Sequence, residues 1–394
     1  TRAAATGETG APTVCMLSVS AVAGNHAHLM HRSSGIIAVE LQYALASVAG
    51  AHLHNPFFDV LGALRAEGSI AAAARRLDWS YRHLWGYLKD QELRLGRPLI
   101  HWDKGRAARL TDFAEKLLWA EARIRARLAP QVENLATEIG RELSIAFNDD
   151  VRITTCVASH DLSLPLLKRL CQTEAEVLLD LHYEGSIDAL RRMRAGHCAF
   201  AGIHLPLSRP DLAQRGSRVH QAFGPLLRLG KEKLIRVAHR TQGLFVARGN
   251  PLDVRGVEDL PRLHFVNRAR GTGTRALIEE LLASRQIDPA SIPGFERTES
   301  NHLSVATAVA AGEADAGIGI QAAAAGKGID FIPLLVEDYF LVCERETLNT
   351  PCAEAIVELL ASQYWRQQVG LLAGYSAHDS GEIISLRRTL PWYR

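Results

Sequence analysis

Hydrophobic positions recur with a helical period in the segment that follows Asn55. The apolar positions of a first helix lie three residues apart, at Phe58, Leu61 and Leu64. Gly68 interrupts the pattern, and Ser69 is suited to cap a second helix over Ile70–Leu77. Four alanines at 71–74 have little bulk, which lets another helix cross closely. The pattern therefore predicts two short helices with a tight turn to a third.

The third predicted helix begins after a turn at Asp78-Trp79, with Ser80 as its N-cap and Gly96 at its end. Its expected buried stripe is Leu84, Leu88 and Leu95. The first residues of such a helix, the second of a helix-turn-helix, reach base edges in DNA. The predicted DNA contacts from these helices are Ser69, Ser80, Tyr81, Arg82, Trp85 and Lys89. The alternative for Trp85 is a place partly in the core.

Two short extended pieces and a long helix follow. The extended pieces flank a basic, glycine-containing turn, which predicts a wing whose Lys104, Arg106 and Arg109 contact phosphates. Thr111 is expected to cap the long helix, and Pro130 to kink or interrupt it. Its apolar positions are Leu117, Leu118, Ile124, Leu128, Val132 and Leu135. An apolar seam on a long helix predicts dimerisation through this segment.

Composition and charge narrow the class of protein. The 394 residues carry a net charge of +2, yet Ala63 to Leu110 holds ten Lys or Arg against five Asp or Glu. A local basic excess on a nearly neutral chain favours one nucleic-acid-binding domain, although a solvated helical surface would also produce it. We expect a cytoplasmic protein with reduced thiols and no membrane contact, because the six cysteines are scattered and long apolar runs are missing. Residues 1–36 lack periodicity and are expected to form a disordered tail.

From Val151 the pattern changes to alternating strands and helices, which predicts a parallel sheet covered by helices. Ser159, Ser186 and the 272–274 turn are placed where a strand ends and a helix begins. Free N–H groups at helix starts favour anions, although these hydroxyls could equally serve only as caps. The glycines of Asn267–Arg275 match neither a Walker A loop nor a dinucleotide fingerprint.

The run from Gly68 through the long helix, "GSIAAAARRL…SYRHLWGYLKDQELRLGRPLI…LTDFAEKLL", resembles the winged helix-turn-helix of LysR-type transcriptional regulators. It is closer still to the DNA-binding half of molybdate-responsive ModE regulators. His83 and Gln91 depart from the small or apolar residues usual in these families.

The second part resembles the periplasmic-binding-protein-like effector domain of LysR-type regulators and of molybdate-type solute receptors. Ala158–Asp161 matches the turn after the first strand of those receptors, Tyr183–Ser186 matches the turn after the second, and Gly202–His204 follows the third strand. The segments expected to face them from the other lobe are Arg240–Gly243, Gly271–Arg275 and Ser300–His302. This resemblance implies an α/β fold with an N-terminal all-α winged helix-turn-helix and a two-lobed effector part of type II. The implied effector-binding residues are Ser159, His160, Glu184, Ser186, His204, Thr241, Asn267, Arg270, Thr272, Gly273, Thr274, Ser300 and His302.

The expected function is a DNA-binding transcriptional regulator whose operator binding or activation is modulated by a small anion. A molybdate- or tungstate-type oxyanion fits neutral hydroxyl and amide donors, and the alternatives are a molybdenum-cofactor-like phosphate or a small carboxylate such as formate. A solute-binding protein is the distant alternative. The expected partners are double-stranded DNA, the effector, a second copy of the chain in a dimer or tetramer, and RNA polymerase. No cofactor is expected, and no metal, because His160, His204 and His302 lack the short spacing of metal ligands. No enzymatic activity is expected, because the neighbours Ser159, His160 and Asp161 point in different directions.

The predicted organisation has four parts. Residues 1–36 form the tail, 37–110 the winged helix-turn-helix, 111–143 the linker and dimerisation helix, and 151–390 the effector domain.

Overall fold

A computed structural model gives the fold. It describes residues 14–18, 42–46, 52–53, 56–101, 108–148 and 150–393. The chain divides into two compact units, and the boundary between Ile124 and Arg125 falls within one long helix.

In the residues that the structure describes, the first unit contains three whole helices, the beginning of the long helix and two small sheets. Its helices are α1 (Phe57–Glu67), α2 (Ile70–Arg76) and α3 (Tyr81–Leu95). Its strands are β1 (Val14–Ser18), β2 (Gln42–Ala46), β3 (His52–Leu53), β4 (Ile100–His101) and β5 (Arg109–Leu110). The first three strands form one antiparallel sheet, and β4 pairs antiparallel with β5 as the base of the expected wing. Strand β1 lies inside the segment 1–36, and the rest of that segment lies outside the described residues.

Local capping places the three helices as the sequence predicts. The Ser69 and Ser80 hydroxyls accept from backbone N–H groups three residues on, which starts α2 and α3. Gly96 ends α3 in the left-handed conformation that glycine adopts without strain. Leu84 and Leu88 are fully buried in the core formed with α1, α2 and β4. The third expected stripe position, Leu95, is only half-buried, and Gln91 is buried in its place.

The long helix α4 spans Asp112–Phe147 and continues through Pro130, so of the two expected effects, a kink or an interruption, the interruption does not occur. Proline has no N–H to donate to the carbonyl four residues earlier, which belongs to Ala126. The Asn301 side-chain amide donates to that carbonyl instead. The group that Pro130 would leave unsatisfied is therefore hydrogen-bonded, and the helix tolerates the proline. Within the described residues, no helix has both the length and the apolar character needed to cross a bilayer.

The second unit is a ten-stranded mixed sheet with helices packed against it. One lobe is built on parallel strands β6 (Arg152–Ala158), β7 (Val177–Tyr183) and β8 (Phe200–Leu205). The other lobe is built on β10 (Phe265–Arg268), β11 (Thr298–Glu299) and β12 (Ala316–Ile320), which are also parallel. Strands β9 (Glu232–Ala247) and β13 (Ile329–Glu344) lie between them, antiparallel to each other and to their outer neighbours.

The helices of this unit follow the strands, as the alternation predicts. They are α5 (Leu164–Glu174), α6 (Ser186–Arg194), α7 (Arg218–Phe223), α8 (Gly273–Ser284), α9 (His302–Ala310), α10 (Pro351–Ala361), α11 (Gln363–Gly370) and α12 (Leu386–Thr389). Two short strands, β14 (Tyr375–Ser376) and β15 (Ile383–Ser385), pair with β9 and attach the C-terminal segment to it.

Two sequence-based expectations need correction. The sheet is mixed and not parallel, because the 16-residue strands β9 and β13 run antiparallel between the lobes. Gly202–His204, which was expected to follow the third strand, lies inside β8.

Candidate functional site

The exposed side of α3 carries most of the polar and aromatic residues proposed for DNA. Tyr81 is 54% exposed and Trp85 42%, and Arg82 is exposed beside them. Lys89 is half-buried, with its Nζ 2.9 Å from Glu92 Oε2. Arg109 is exposed on β5, whereas Lys104 and Arg106 lie outside the described residues. The hydroxyls of Ser69 and Ser80 serve as helix caps.

In the second unit, the buried carboxylate of Asp161 connects side chains from β8, β9 and β14. Asp161 Oδ2 accepts from Arg240 Nη1 at 2.8 Å, from Tyr375 Oη at 2.7 Å and from His204 Nε2 at 3.3 Å. Arg240 also donates to Glu337 from Nε and Nη2. Burial alone would raise the pKa of Asp161, but the hydrogen bond from His204 and the charge of Arg240 hold it well below its usual range. Asp161 is therefore ionised at neutral pH.

Two serines extend this network toward the start of α6. Ser186 Oγ donates to Ser159 Oγ at 3.1 Å, and Ser159 Oγ lies 3.2 Å from His204 Nδ1. Burial and Arg240 lower the pKa of His204, so its ring is neutral. A carboxylate only accepts, so His204 Nε2 carries the proton and Nδ1 accepts from Ser159. Both serine hydrogens are thus committed within the network.

Arg268 differs from these serines, because its donors are not all used. It is 2% exposed, and its Nε and Nη1 have no hydrogen-bond partner among the described residues. Burial and the charge of Arg240 lower its pKa to about 9, which still leaves it charged at neutral pH. His302 Nδ1 and Gln242 Oε1 are also buried without a partner in the described part of the chain. Burial and the charge of Arg268 hold the pKa of His302 well below its ordinary value. Unpartnered donors on a buried cation are costly unless a bound group satisfies them.

The two lobes approach each other closely at this point. A Cβ built on Gly185, which precedes α6, would lie 3.2 Å from the carbonyl oxygen of Gly271. Gln242 Nε2 on β9 donates to Thr274 Oγ1 at the start of α8, at 3.0 Å. Backbone starts of two helices from different lobes therefore face the same region, and both present N–H groups.

The remaining predicted effector residues fall into two groups. His160 and Asn267 are buried nearby: the rings of His160 and Tyr183 lie 5.0 Å apart, and Asn267 accepts from Arg268 N. The others form ion pairs or hydrogen bonds with residues outside this network, or are exposed. Glu184 pairs with Arg192, Arg270 with Glu296, Thr241 Oγ1 donates to Gly374 O, and Ser300 is exposed.

Thr272 and Gly273 form the start of α8. Thr272 Oγ1 donates to Ala269 O at 2.8 Å and accepts from Arg275 N, so its hydroxyl serves the helix cap.

Sequence reasoning did not place the buried charges among the site residues. The predicted set left out four charged residues and the tyrosine that bonds to one of them, namely Asp161, Arg240, Arg268, Glu337 and Tyr375. The available signal was the presence of Arg and Glu within otherwise apolar strand segments, since charged side chains are almost never fully buried unless paired.

The series Ser159–His204–Asp161 has the composition of a hydrolase triad. Its histidine comes from β8, far from Ser159 in the sequence, and lies between the other two side chains. The carboxylate also accepts from the Ser163 N–H, which donates to Asp161 Oδ1 at 2.8 Å. These hydrogen bonds hold the three side chains in place, as would suit a polar lining for a ligand.

Comparisons with known proteins agree with both units. Residues 58–115 match the model of the bacterial regulatory helix-turn-helix proteins of the lysR family, and residues 167–361 match the PBP superfamily domain. The chain is 31% identical to the uncharacterized protein YvgK of Bacillus subtilis over 60% of this chain and 75% of that protein. It is 36% identical to an uncharacterized Clostridium pasteurianum protein from the 5′ region of a 2Fe-2S ferredoxin gene, over 28% of this chain and 97% of that protein.

Among solved structures, CbnR, a LysR family transcriptional regulator, aligns with a TM-score of 0.38 at 18% identity, covering 76% of this chain and 97% of CbnR. The LysR family consists of transcriptional regulators that are generally not enzymes. On the two domain matches, the chain belongs to the LysR family and is a LysR-type transcriptional regulator with a PBP-like effector-binding domain.

Proposed function

We propose that the effector of this regulator is a small anion bound between the lobes at Arg268. The observation that carries the proposal is the buried guanidinium with two N–H groups that lack a partner among the described residues. An anion there would accept from both and balance the buried positive charge. Gly185 and Gly271 let helix starts approach the same place and supply neutral donors.

Among anions, we propose a tetrahedral oxyanion of the molybdate or tungstate type. Its four oxygens suit donors that converge from several directions, namely Arg268, the start of α6 at Ser186 and the start of α8 at Thr274. A small carboxylate such as formate, or a molybdenum-cofactor-like phosphate, is the second candidate. The observation that favours the carboxylate is that a single guanidinium balances only one negative charge.

We also propose that α3 and the wing bind the operator, with Arg82, Tyr81 and Trp85 on the exposed face toward the bases. The segment 111–143 is proposed to dimerise, because paired DNA-binding domains need two half-sites. The domain limits 37–110 and 151–390, and RNA polymerase as a further partner, stand as proposals too.

The test of the effector proposal is Arg268→Met, with Arg297→Met as the matched control, because Arg297 is exposed and paired with Glu313. Titration calorimetry with molybdate, tungstate, sulfate and formate should show binding by the parent and the control. Arg268→Met should lose about 2–5 kcal/mol of binding free energy, since it truncates a buried charge partner. Equal binding by Arg268→Met and the parent, or no anion bound by the parent, would contradict the proposal.

Thermal unfolding of the same proteins without anion gives an independent readout. Replacing a buried charge whose donors lack partners by an apolar side chain of similar length is expected to leave the free energy of unfolding unchanged or to raise it. A loss of stability without anion would show that Arg268 already has a structural partner.

A further inference from the structure

The opposite side of β9 carries a second group of polar side chains. Successive strand residues point to opposite faces, so His239 faces away from its neighbour Arg240 and from the anion site. His239 Nε2 lies 2.7 Å from Asp379 Oδ1, and the His378 ring stacks on the His239 ring with centroids 4.5 Å apart. One candidate ligand atom from each of these three residues lies within 4.8 Å of the other two.

The three residues provide a suitable donor set for a transition metal. Two imidazoles and one carboxylate suit a borderline divalent ion of the first transition row better than Mg²⁺ or Ca²⁺, which prefer oxygen ligands. The side chain of His239 is exposed to 14% and that of Asp379 to 29%, whereas His378 is exposed to 71% and can turn toward an ion.

A fourth residue orients the central ligand. Asp338 on β13 lies 3.2 Å from His239 Nδ1 and is itself buried. A carboxylate on one ring nitrogen fixes the proton there and directs the lone pair of the other nitrogen outward, as in carboxylate–histidine–metal arrangements. Nε2 of His239 then faces Asp379, and an ion would replace the proton that Nε2 and Asp379 Oδ1 share.

The surrounding charge also favours a cation. Asp338, Asp379 and Glu382 line a cavity of about 490 Å³ together with Arg236 and Arg388. Three carboxylates against two guanidiniums leave one net negative charge on these five side chains. Arg236 Nε lies 3.0 Å from Asp379 Oδ2, so Oδ1, on the His239 side, remains for a metal. Water or a small ligand in the cavity would complete the coordination.

We propose that His239, His378 and Asp379 bind one divalent transition-metal ion such as Zn²⁺, with Asp338 as a positioning residue. The ion would fasten the segment after β14 to the strand that joins the two lobes. The site is separate from the proposed anion site, because His239, its ligand on β9, faces away from Arg240.

The experiment uses the full chain, stripped of metal with a chelator and titrated with Co²⁺, whose visible absorption reports nitrogen and oxygen coordination. His26, His28 and His31 lie close together in the sequence and could bind metal themselves. All proteins therefore carry these three as Gln. The background chain should bind one Co²⁺ that Zn²⁺ displaces.

His378→Gln should weaken Co²⁺ binding by more than about 10-fold, and Asp338→Asn by about 10–100-fold. His264→Gln is the matched control, because it changes an exposed histidine of the same unit and should bind as the background does. His378 is exposed, so its variant is expected to fold. No Co²⁺ bound by the background chain, or the same affinity and spectrum in His378→Gln, would overturn the proposal.

Discussion

Arg82 and Arg268 represent two ways of using an arginine in one chain. Arg82 lies exposed at the start of α3, whereas Arg268 is buried at the end of β10 with N–H groups that lack partners in the described part of the chain. A charge in water stays solvated until a phosphate or a base replaces the water. A buried charge destabilises the empty protein, and that same cost strengthens its preference for an anion. Substitutions in the first unit should therefore change the affinity for DNA, and substitutions in the second unit should change stability and the affinity for an anion.

The largest expected effect is on the buried network. Asp161→Asn removes the charge that Arg240, His204 and Tyr375 share, and should lower the free energy of unfolding of the second unit by about 3–5 kcal/mol. Chemical denaturation followed by circular dichroism would measure it.

The matched control for this variant is Asp211→Asn, because Asp211 is an exposed aspartate of the same unit that pairs with Arg209. Removing an exposed ion pair should change the free energy of unfolding by less than about 1 kcal/mol. Similar values for the two variants would remove the contrast between buried and exposed charges.

A second test uses pH. Burial lowers the pKa of His160 to about 4, with Arg268 and Arg240 adding to the effect. The unfolded chain binds a proton at this residue below about pH 6.5, and the folded chain only near pH 4. Stability should therefore fall as the pH drops from about 6.5 to 4, by up to about 3 kcal/mol from this residue. His160→Gln should flatten the profile of unfolding midpoint against pH, and an unchanged slope would contradict the assignment.

A substitution of the exposed Arg82 in the first unit should change the affinity for DNA and leave the free energy of unfolding nearly unchanged. Arg82→Ala is expected to cost about 1–3 kcal/mol on the operator if the side chain reads a base, and less on random DNA. Its unfolding free energy should stay within about 0.5 kcal/mol of the parent. Fluorescence anisotropy with both DNAs checks the ratio of affinities, and an unchanged ratio would mean that Arg82 contacts phosphate only.

The smallest expected effect distinguishes two roles of the Thr272 hydroxyl, capping α8 or binding the effector. Thr272→Ala should lower the stability of the second unit by about 0.5–1 kcal/mol, because its hydroxyl serves the start of α8. Thr272→Ser, which keeps the hydroxyl, is the control and should restore most of the loss. If Thr272→Ala instead weakens an anion and leaves unfolding unchanged, the hydroxyl belongs to the effector site as the sequence suggested.

The two units also differ in what the sequence reveals. Ser80, Gly96 and the spacing of Leu84 and Leu88 act within one helix, so capping and periodicity predict α3 to the residue. The alternation after Val151 likewise predicts the α/β class and most of the helices. These features depend on neighbours in sequence, which is the information that a single chain offers.

The buried network depends on residues far apart in the chain. Asp161 meets Arg240 and Tyr375 only because β9 crosses both lobes and β14 pairs with it. Hydroxyls at helix starts indicated Ser159 and Ser186, which lie in the network, but the same signal selected Thr272, whose hydroxyl caps its own helix. Long-range pairing decides which polar residues meet, and one sequence does not contain it.

The hydrogen bond from Asn301 to Ala126 links α4 to the start of α9, because Pro130 has no N–H to donate. A helix without proline supplies all of its internal hydrogen bonds, and its continuity says nothing about what lies beside it. Here one hydrogen bond of α4 is supplied from outside, by the residue that precedes His302 and caps α9. Displacing that cap would leave the Ala126 carbonyl without its donor, so the hydrogen bonding of this turn of α4 depends on the position of α9. Pro130→Ala would return a backbone N–H to the helix and remove that dependence.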